Sequence, residues 1–349
     1  MPTILSIKLP SKNLLSLAQE IFERSGLSGD HAQKQAEILV WANLRGIDSH
    51  GVLRIPRYLD LLQNKEMNAK PNISIVNETT ASTVIDGDQA PGVIAMRFGM
   101  EQAINKAKSA GIGWTLIGKT THSGPLGYYT QIAIKKDMIG IAIMTSRPNM
   151  AYHGSKTAGI ATSPISIGVP GGSDGSLILD MSTSAITRGK IKEAIARGLS
   201  LPENTAITDS GEPTTDPTLA KIPMPLGGPK GSGLSLMFET LTSLLMGLPL
   251  LEPALAGREK KHSQNGLAIA ININDFITAQ KYKDLVTALS IQLKKLPALD
   301  TYNSVLLPGE SGQRTLEERQ KNGIPLPDKT WQELSLVANK LNITMPNLS

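Results

Sequence analysis

Apolar residues at Ala32, Ala36, Leu39, Val40 and Leu44 recur with the 3.6-residue period of a helix, with Asp30 placed to cap its start and Gly46 to end it. A helix before it is predicted from a Ser11 cap to near Ser25-Gly26, and Pro56 suits the first turn of a further one, Arg57 to Leu62. From Ser11 to about Asn68 the chain therefore reads as helices. After Pro71 the pattern changes. Ser82 to Ile85, Trp114 to Ile117 and Ile139 to Met144 have the short apolar character of strands, separated by helical stretches at Gly92 to Ala110 and Pro125 to Lys135. That β-α-β-α-β order predicts a sheet flanked by helices and parallel at least in part. Ile165 to Val169 and Ser176 to Asp180, joined by the glycine-rich Pro170 to Gly175, predict a hairpin, which makes the sheet mixed.

Beyond the hairpin, a region at about 190–250 reads as a partly helical insertion. It is broken by Pro213-Thr214-Thr215-Asp216-Pro217 and carries a helix from about Gly231 through Leu245. Strand character returns at Leu267 to Ile271, and a helix follows from Ala279 to Leu293. The amphipathic tail, Trp331 to Leu341, is suited to pack back on the N-terminal helices. The expected organisation is a helical domain made of residues 1–72 plus 315–349 and a mixed α/β domain of residues 73–314.

Composition narrows the function classes. A chain of 349 residues with 40% hydrophobic content can bury a sizeable core. The formal charge of +5 comes from scattered lysines and arginines, and aromatic content is only 4%, which gives nucleic-acid binding little support. A basic surface can instead steer an anionic substrate or a phosphate-bearing cofactor. The absence of cysteine excludes disulfides, thiolate zinc sites and cysteine nucleophiles. No segment reaches the ~18 apolar residues of a membrane span, and Met1 to Lys8 lacks a basic region followed by a long apolar run, so a cytoplasmic protein is expected. No two histidines stand at helical ligand spacing, so no metal site is expected. The first strand runs into Ile85-Asp86-Gly87-Asp88 where a dinucleotide fingerprint would read Gly-x-Gly-x-x-Gly.

Candidate chemistry concentrates in a few stretches. Arg45-Gly46-Ile47-Asp48-Ser49-His50-Gly51-Val52-Leu53-Arg54 places a hydroxyl, an imidazole and guanidinium groups between two helices. Arg54 offers a planar fork for a carboxylate, and His50 can reach the same ligand or exchange a proton with it; equally, Asp48 and Arg54 can simply pair with each other. His122 lies in the polar loop Thr120 to Pro125 beyond a strand end, where sheets flanked by helices bind ligands, although a histidine beside serine and threonine can also be a turn residue. Gly227-Gly228-Pro229-Lys230-Gly231 opens a helix with glycines and a lysine, a phosphate or carboxylate cradle or a flexible turn. Asp180-Met181-Ser182-Thr183-Ser184 puts an acid and three hydroxyls just past a strand.

Taken together, Arg45 to Gly51 with Arg54, Thr121-His122-Ser123-Gly124, Leu179 to Ser184 with Arg188-Gly189-Lys190, and Pro213 to Pro217 followed by Gly227 to Gly231 resemble the malate/L-lactate dehydrogenase family of the second type. The resemblance extends through Leu307-Pro308-Gly309-Glu310 and so covers nearly the whole chain. It implies hydride transfer with NAD or NADP on a fold distinct from the common Rossmann enzymes, and a homodimer acting on a small anionic substrate. Carried onto matching positions, it implies His50 and His122 as acid/base residues, Arg54 as the carboxylate clamp, Ser49 as its polar neighbour and Ser146 as a substrate contact. Asp180, Met181, Ser182, Thr183, Ser184, Pro229, Lys230, Gly309 and Glu310 match the cofactor segments. One departure stands out: where many members read Gly-Gly ahead of Gly-Thr-Asn-Pro, this chain has Tyr152-His153-Gly154-Ser155 and then Ala161-Thr162-Ser163-Pro164, and the family gives His153 no role. The expected reaction interconverts a 2-hydroxy acid and its 2-oxo acid, with His122 favoured as the proton carrier. Its rivals are reduction of a cyclic imine carboxylic acid and a catalytically silent dinucleotide-binding protein.

Overall fold

The computed structural model describes residues 6–172, 175–258 and 263–347. The chain start Met1 to Leu5 and residues 173 and 174 of the hairpin link lie outside the described residues. Helices α1 (Ser11–Arg24), α2 (Gly29–Leu44) and α3 (Ile55–Gln63) form the N-terminal part. Two caps differ from expectation. Pro10, not Ser11, precedes the first helical residue without a side-chain cap, and Ser28, not Asp30, accepts the His31 N–H at the start of α2. Asp30 instead sits in the first turn, where a carboxylate is favoured by the helix dipole. Gly46 follows α2 with φ of 75°, the left-handed end expected of it.

The sheet contains β1 (Ser74–Glu78), β2 (Ser82–Ala90), β3 (Ile112–Thr120), β4 (Met138–Thr145), β5 (Ile165–Val169), β6 (Leu177–Met181) and β7 (Gln264–Asn272), in the spatial order β1-β2-β3-β7-β4-β5-β6. Helices α4 (Gly92–Ala110) and α5 (Gly127–Ile134) connect β2 to β3 and β3 to β4 as the β-α-β-α-β pattern predicts. Only β2 and β3 pair in parallel; β7 inserts between β3 and β4 and runs antiparallel to both. The β5-β6 hairpin forms as expected. Side chains of β7 alternate between two cores: Ala268 and Ala270 face the helices α4 and α5, while Leu267 and Ile269 meet Leu116, Ile143 and Phe238 on the other side. Three layers result, and Gly113 lets α4 lie directly on β3, because a Cβ there would overlap the Ala103 carbonyl.

In the insertion, α6 (Arg188–Arg197) is followed by a two-stranded ribbon, Ala206–Ile207 with Ile222–Pro223, and then by α7 (Pro229–Glu239), which continues as a π-helical turn at Thr240–Leu244. After β7 come α8 (Ala279–Lys294), α9 (Glu310–Asn322) and α10 (Asp328–Lys340). Ser6–Leu9 pairs antiparallel with Ile324–Pro327, joining the two ends of the chain. Leu334, Ala338 and Ile343 pack in one core with Leu14, Ile21 and Tyr58, and that core runs on without a break into Val93, Met96 and Ile117. The terminal segments are thus helical and share their core with one face of the mixed sheet.

Candidate active site

The stretch from Arg45 to Arg54 forms two short 3-10 turns, Asp48–His50 and Val52–Arg54, locked from three sides. Asn43 donates to Asp48 at 2.7 Å and accepts the Val52 N–H at 2.9 Å, so its amide fills the space a Cβ on Gly51 would take. Gly51 is therefore needed for room, not for a left-handed turn. Asp48 does not pair with Arg54: Arg319 of α9 grips it with two hydrogen bonds, of 2.7 and 3.0 Å. Arg54 instead donates its Nε–H to the Ser49 carbonyl at 2.7 Å, which fixes the guanidinium plane and leaves its outer Nη edge as the fork.

This loop brings together residues far apart in sequence. The rings of His50 and His122 stack at 5.6 Å between centroids with 24° between their planes, and both are half-buried. Ser49 Oγ lies 2.9 Å from His50 Nδ1. Burial, reinforced by the Arg54 charge, pushes His50 down to about 4, so its ring is neutral near pH 7. His122 Nδ1 has two neighbours: the Tyr58 hydroxyl at 2.7 Å and the Gly124 N–H at 3.2 Å. The backbone N–H can only donate, so in this geometry Nδ1 is bare and the neutral ring carries its proton on Nε2. When Nδ1 is protonated the Tyr58 hydroxyl can rotate to accept, which Gly124 cannot. Tyr58 is fully enclosed, and burial holds its phenol well above the usual range. Sequence reasoning missed Tyr58; its only signal was a place four residues after Arg54 on the first turns of α3.

The second cluster surrounds β6. Asp180 accepts the Gly127 N–H at 2.7 Å; the residue is exposed to solvent, although protein crowds its carboxyl group. Burial pushes its carboxyl up to about 6, against the pull of the Gly127 and Leu126 N–H groups and of Arg45. Met181 and Ser182 are half-buried, and Ser184 N–H bonds Ser182 Oγ at 2.9 Å. Thr183 holds the α7 start: its carbonyl accepts the Leu226 N–H at 2.9 Å and lies where a Cβ on Gly231 would stand. Thr183 thereby joins the Asp180 to Ser184 segment to the start of α7.

The expected cradle of free backbone amides is not what forms at α7. Gly231 N–H is taken by the Leu226 carbonyl at 2.8 Å, and the Lys230 and Ser232 N–H groups make long 3.4 Å contacts to Gly227 and Gly228. What the segment offers is space and charge. Gly227 and Gly228 both have positive φ, 58° and 61°, Lys230 is exposed with no acidic partner among the described residues, and Thr183 Oγ1 is buried with no hydrogen bond. An open turn, an unpaired ammonium and an orphaned hydroxyl fit a phosphate-bearing dinucleotide. Near the other end of β6, Gly309 accepts from Arg45 Nη2 at 3.0 Å and packs on Ile178. The Glu310 carboxylate is committed locally to the Leu307 N–H, Lys294 and Arg314, which hold it down at about 2. Ser146 follows β4, with its Oγ 3.3 Å from the Arg147 carbonyl. Gly189, at the start of α6, sits against the loop that carries Ser49 and His50: a Cβ there would stand 2.7 Å from Ser49 Cβ.

A mixed sheet with helices on both faces, a cluster of two imidazoles and a guanidinium, and a glycine turn with an unpaired lysine are the features a dehydrogenase would use. Residues 9–335 match the malate/L-lactate dehydrogenase family, and the chain belongs to that family, whose members are NAD(P)-dependent oxidoreductases of 2-hydroxy and 2-oxo acids. It is 34% identical over 342 residues to the L-sulfolactate dehydrogenase of Methanocaldococcus jannaschii, covering 97% of this chain and 98% of that one. The ureidoglycolate dehydrogenase (NAD(+)) of Escherichia coli is 30% identical over 331 residues, covering 94% and 95%. Among solved structures, the malate dehydrogenase of Pyrococcus horikoshii superposes with a TM-score of 0.89 at 30% identity, covering 98% of this chain and 97% of that one.

Proposed function

We propose that the protein interconverts a small 2-hydroxy acid, of the malate, lactate, sulfolactate or ureidoglycolate type, and its 2-oxo acid, using NAD or NADP. The observation that carries this reading is the stacked His50-His122 pair beside Arg54, because a 2-hydroxy acid needs one carboxylate clamp and one proton carrier at neighbouring atoms. The bound dinucleotide supplies or accepts hydride at its nicotinamide ring. Arg54 holds the substrate carboxylate with its Nη edge, and Ser49 steadies both Arg54 and His50. His122 exchanges the hydroxyl proton at Nε2, while Tyr58 serves Nδ1 in either protonation state. His50, neutral and stacked on His122, orients the substrate. Asp180, Met181, Ser182, Thr183, Ser184, Pro229 and Lys230 line the dinucleotide, with Gly309 and Glu310 bracing the far end of β6 and Ser146 at the substrate edge.

A homodimer belongs to the same reading. Leu234, Met237, Leu241, Leu244 and Leu245 stand exposed at helical spacing on α7 and its π-helical extension, and a second copy would cover that stripe. Cytoplasmic residence also fits, since no described helix is long and apolar enough to cross a membrane.

The test is a panel of pyruvate, oxaloacetate, sulfopyruvate, diketogulonate and cyclic imine carboxylates with NADH and with NADPH, plus ureidoglycolate in the oxidative direction. Turnover of one or more 2-oxo acids is expected. Turnover of cyclic imines alone would replace the reading with imine reduction, and cofactor binding without any turnover would leave a silent binding protein.

A further inference from the structure

His153, to which the family assigns nothing, stands at the α7 turn. Its Nδ1 and Cε1 atoms both lie 3.2 Å from the point where a Cβ on Gly228 would be, and its backbone N–H donates to Ser232 Oγ at 2.9 Å, tying the loop to the first turn of α7. On the adjacent glycine the Lys230 stem takes the same position: its Cδ is 3.5 Å from where a Gly227 Cβ would be. Imidazole and ammonium therefore flank one two-glycine turn. Neither ring nitrogen of His153 bonds to a described residue, and the ring is exposed. The nearby Lys156 is held by Glu212 at 2.7 Å.

We propose that His153 is a phosphate-contacting residue of the dinucleotide site, its imidazole N–H donating to a phosphate oxygen at the Gly227-Gly228 turn. This rests on the dinucleotide reading above. With the Gly228 and Gly231 N–H groups donated to the Pro225 and Leu226 carbonyls, side chains carry most of the donor capacity at this turn, and those placed there are His153 and Lys230. On the segment whose carbonyl packs against Gly231, Thr183 Oγ1 is buried with no hydrogen-bond partner among the described residues, a polar atom left over at this corner. The phosphate is either the bridging pyrophosphate, common to both cofactors, or the 2′-phosphate of NADP.

Binding of NADH, NADPH, ADP, 2′,5′-ADP and adenosine to the full chain would be titrated calorimetrically for wild type, His153→Ala and His153→Gln, with melting temperatures confirming equal folding. His153→Ala should weaken phosphate-bearing ligands by about tenfold and leave adenosine unchanged, and His153→Gln, which keeps an N–H donor, should recover part of the loss. Loss shared by NADH and ADP identifies the pyrophosphate; loss confined to NADPH and 2′,5′-ADP identifies the 2′-phosphate. Wild-type affinities in both variants, or an equal loss for adenosine, overturn the assignment while tight wild-type binding keeps the dinucleotide reading. A wild-type protein that binds neither dinucleotide sinks both.

Discussion

The two halves of the site are built in opposite ways. Around the histidines, the groups that would react are tied down: Asn43 of α2 and Arg319 of α9 hold the loop, the Ser49 carbonyl within it holds Arg54, and Tyr58 of α3 holds His122. Around α7, the backbone satisfies itself and the side chains of Lys230 and His153 stand loose over glycines. On the proposed function the difference follows from what each half would do. Hydride and proton transfer need atoms fixed within a fraction of an ångström, whereas a phosphate is a broad charge that tolerates flexible donors. Substitutions should accordingly act on rate in the first half and on affinity in the second.

The sharpest way to break this contrast is to separate the two imidazoles. His122→Asn should cost roughly ~10²–10⁴-fold in kcat/KM and remove the ionisation near the imidazole range from its pH profile. His50→Asn should lower activity while keeping that ionisation, since burial already holds His50 at about 4. If instead the ionisation vanishes with His50→Asn and survives in His122→Asn, the two roles are exchanged. On the other side, Lys230→Ala should weaken dinucleotide binding by ~1.5–3 kcal/mol, the usual range for a charge-assisted hydrogen bond, with kcat at saturating cofactor little changed. Fluorescence titration giving wild-type affinity would remove Lys230 from the cofactor site.

Smaller effects sharpen the comparison. Arg54→Lys keeps the charge but loses both the Ser49 anchor and the planar fork, so KM for the acid should rise about tenfold with cofactor affinity unchanged; an unaltered KM would take Arg54 out of the substrate site. Among the described residues at Nδ1, Tyr58 can accept a proton and Gly124 cannot; Tyr58→Phe leaves the neutral ring the Gly124 N–H but takes the acceptor from the protonated ring, which disfavours the protonated ring more. The His122 ionisation should therefore move to lower pH, and kcat/KM should fall by a few-fold, in line with the ~1 kcal/mol of one hydrogen bond. An unshifted profile would mean Tyr58 only fills space, and an upward shift would mean that it acts mainly as a donor to the neutral ring.

Much of this was legible in local sequence because local physics decides it. Gly46 ends α2, Pro56 opens α3, and the strands and helices from Ser82 to Met144 follow from period and punctuation. The family resemblance placed Asp180 to Ser184 and Lys230 in one set, and the structure joins Thr183 to the turn before Lys230. What sequence spacing could not carry were pairings across distance: Asp48 with Arg319 rather than Arg54, Tyr58 with His122, and the amide of Asn43 in the space left by Gly51. Nor could the glycines at α7 reveal that neighbouring carbonyls would occupy the amides they seemed to expose.

The late strand β7 has a consequence for how the chain reaches this state. During synthesis β3 and β4 emerge early, yet the strand that joins them arrives only after the whole insertion has been made. Until then each presents an unpaired edge, and the contacts that close the sheet have high contact order. Folding should thus be slow and nearly all-or-none with respect to the C-terminal third, and a chain released before Asn272 would be an aggregation-prone fragment rather than a smaller domain.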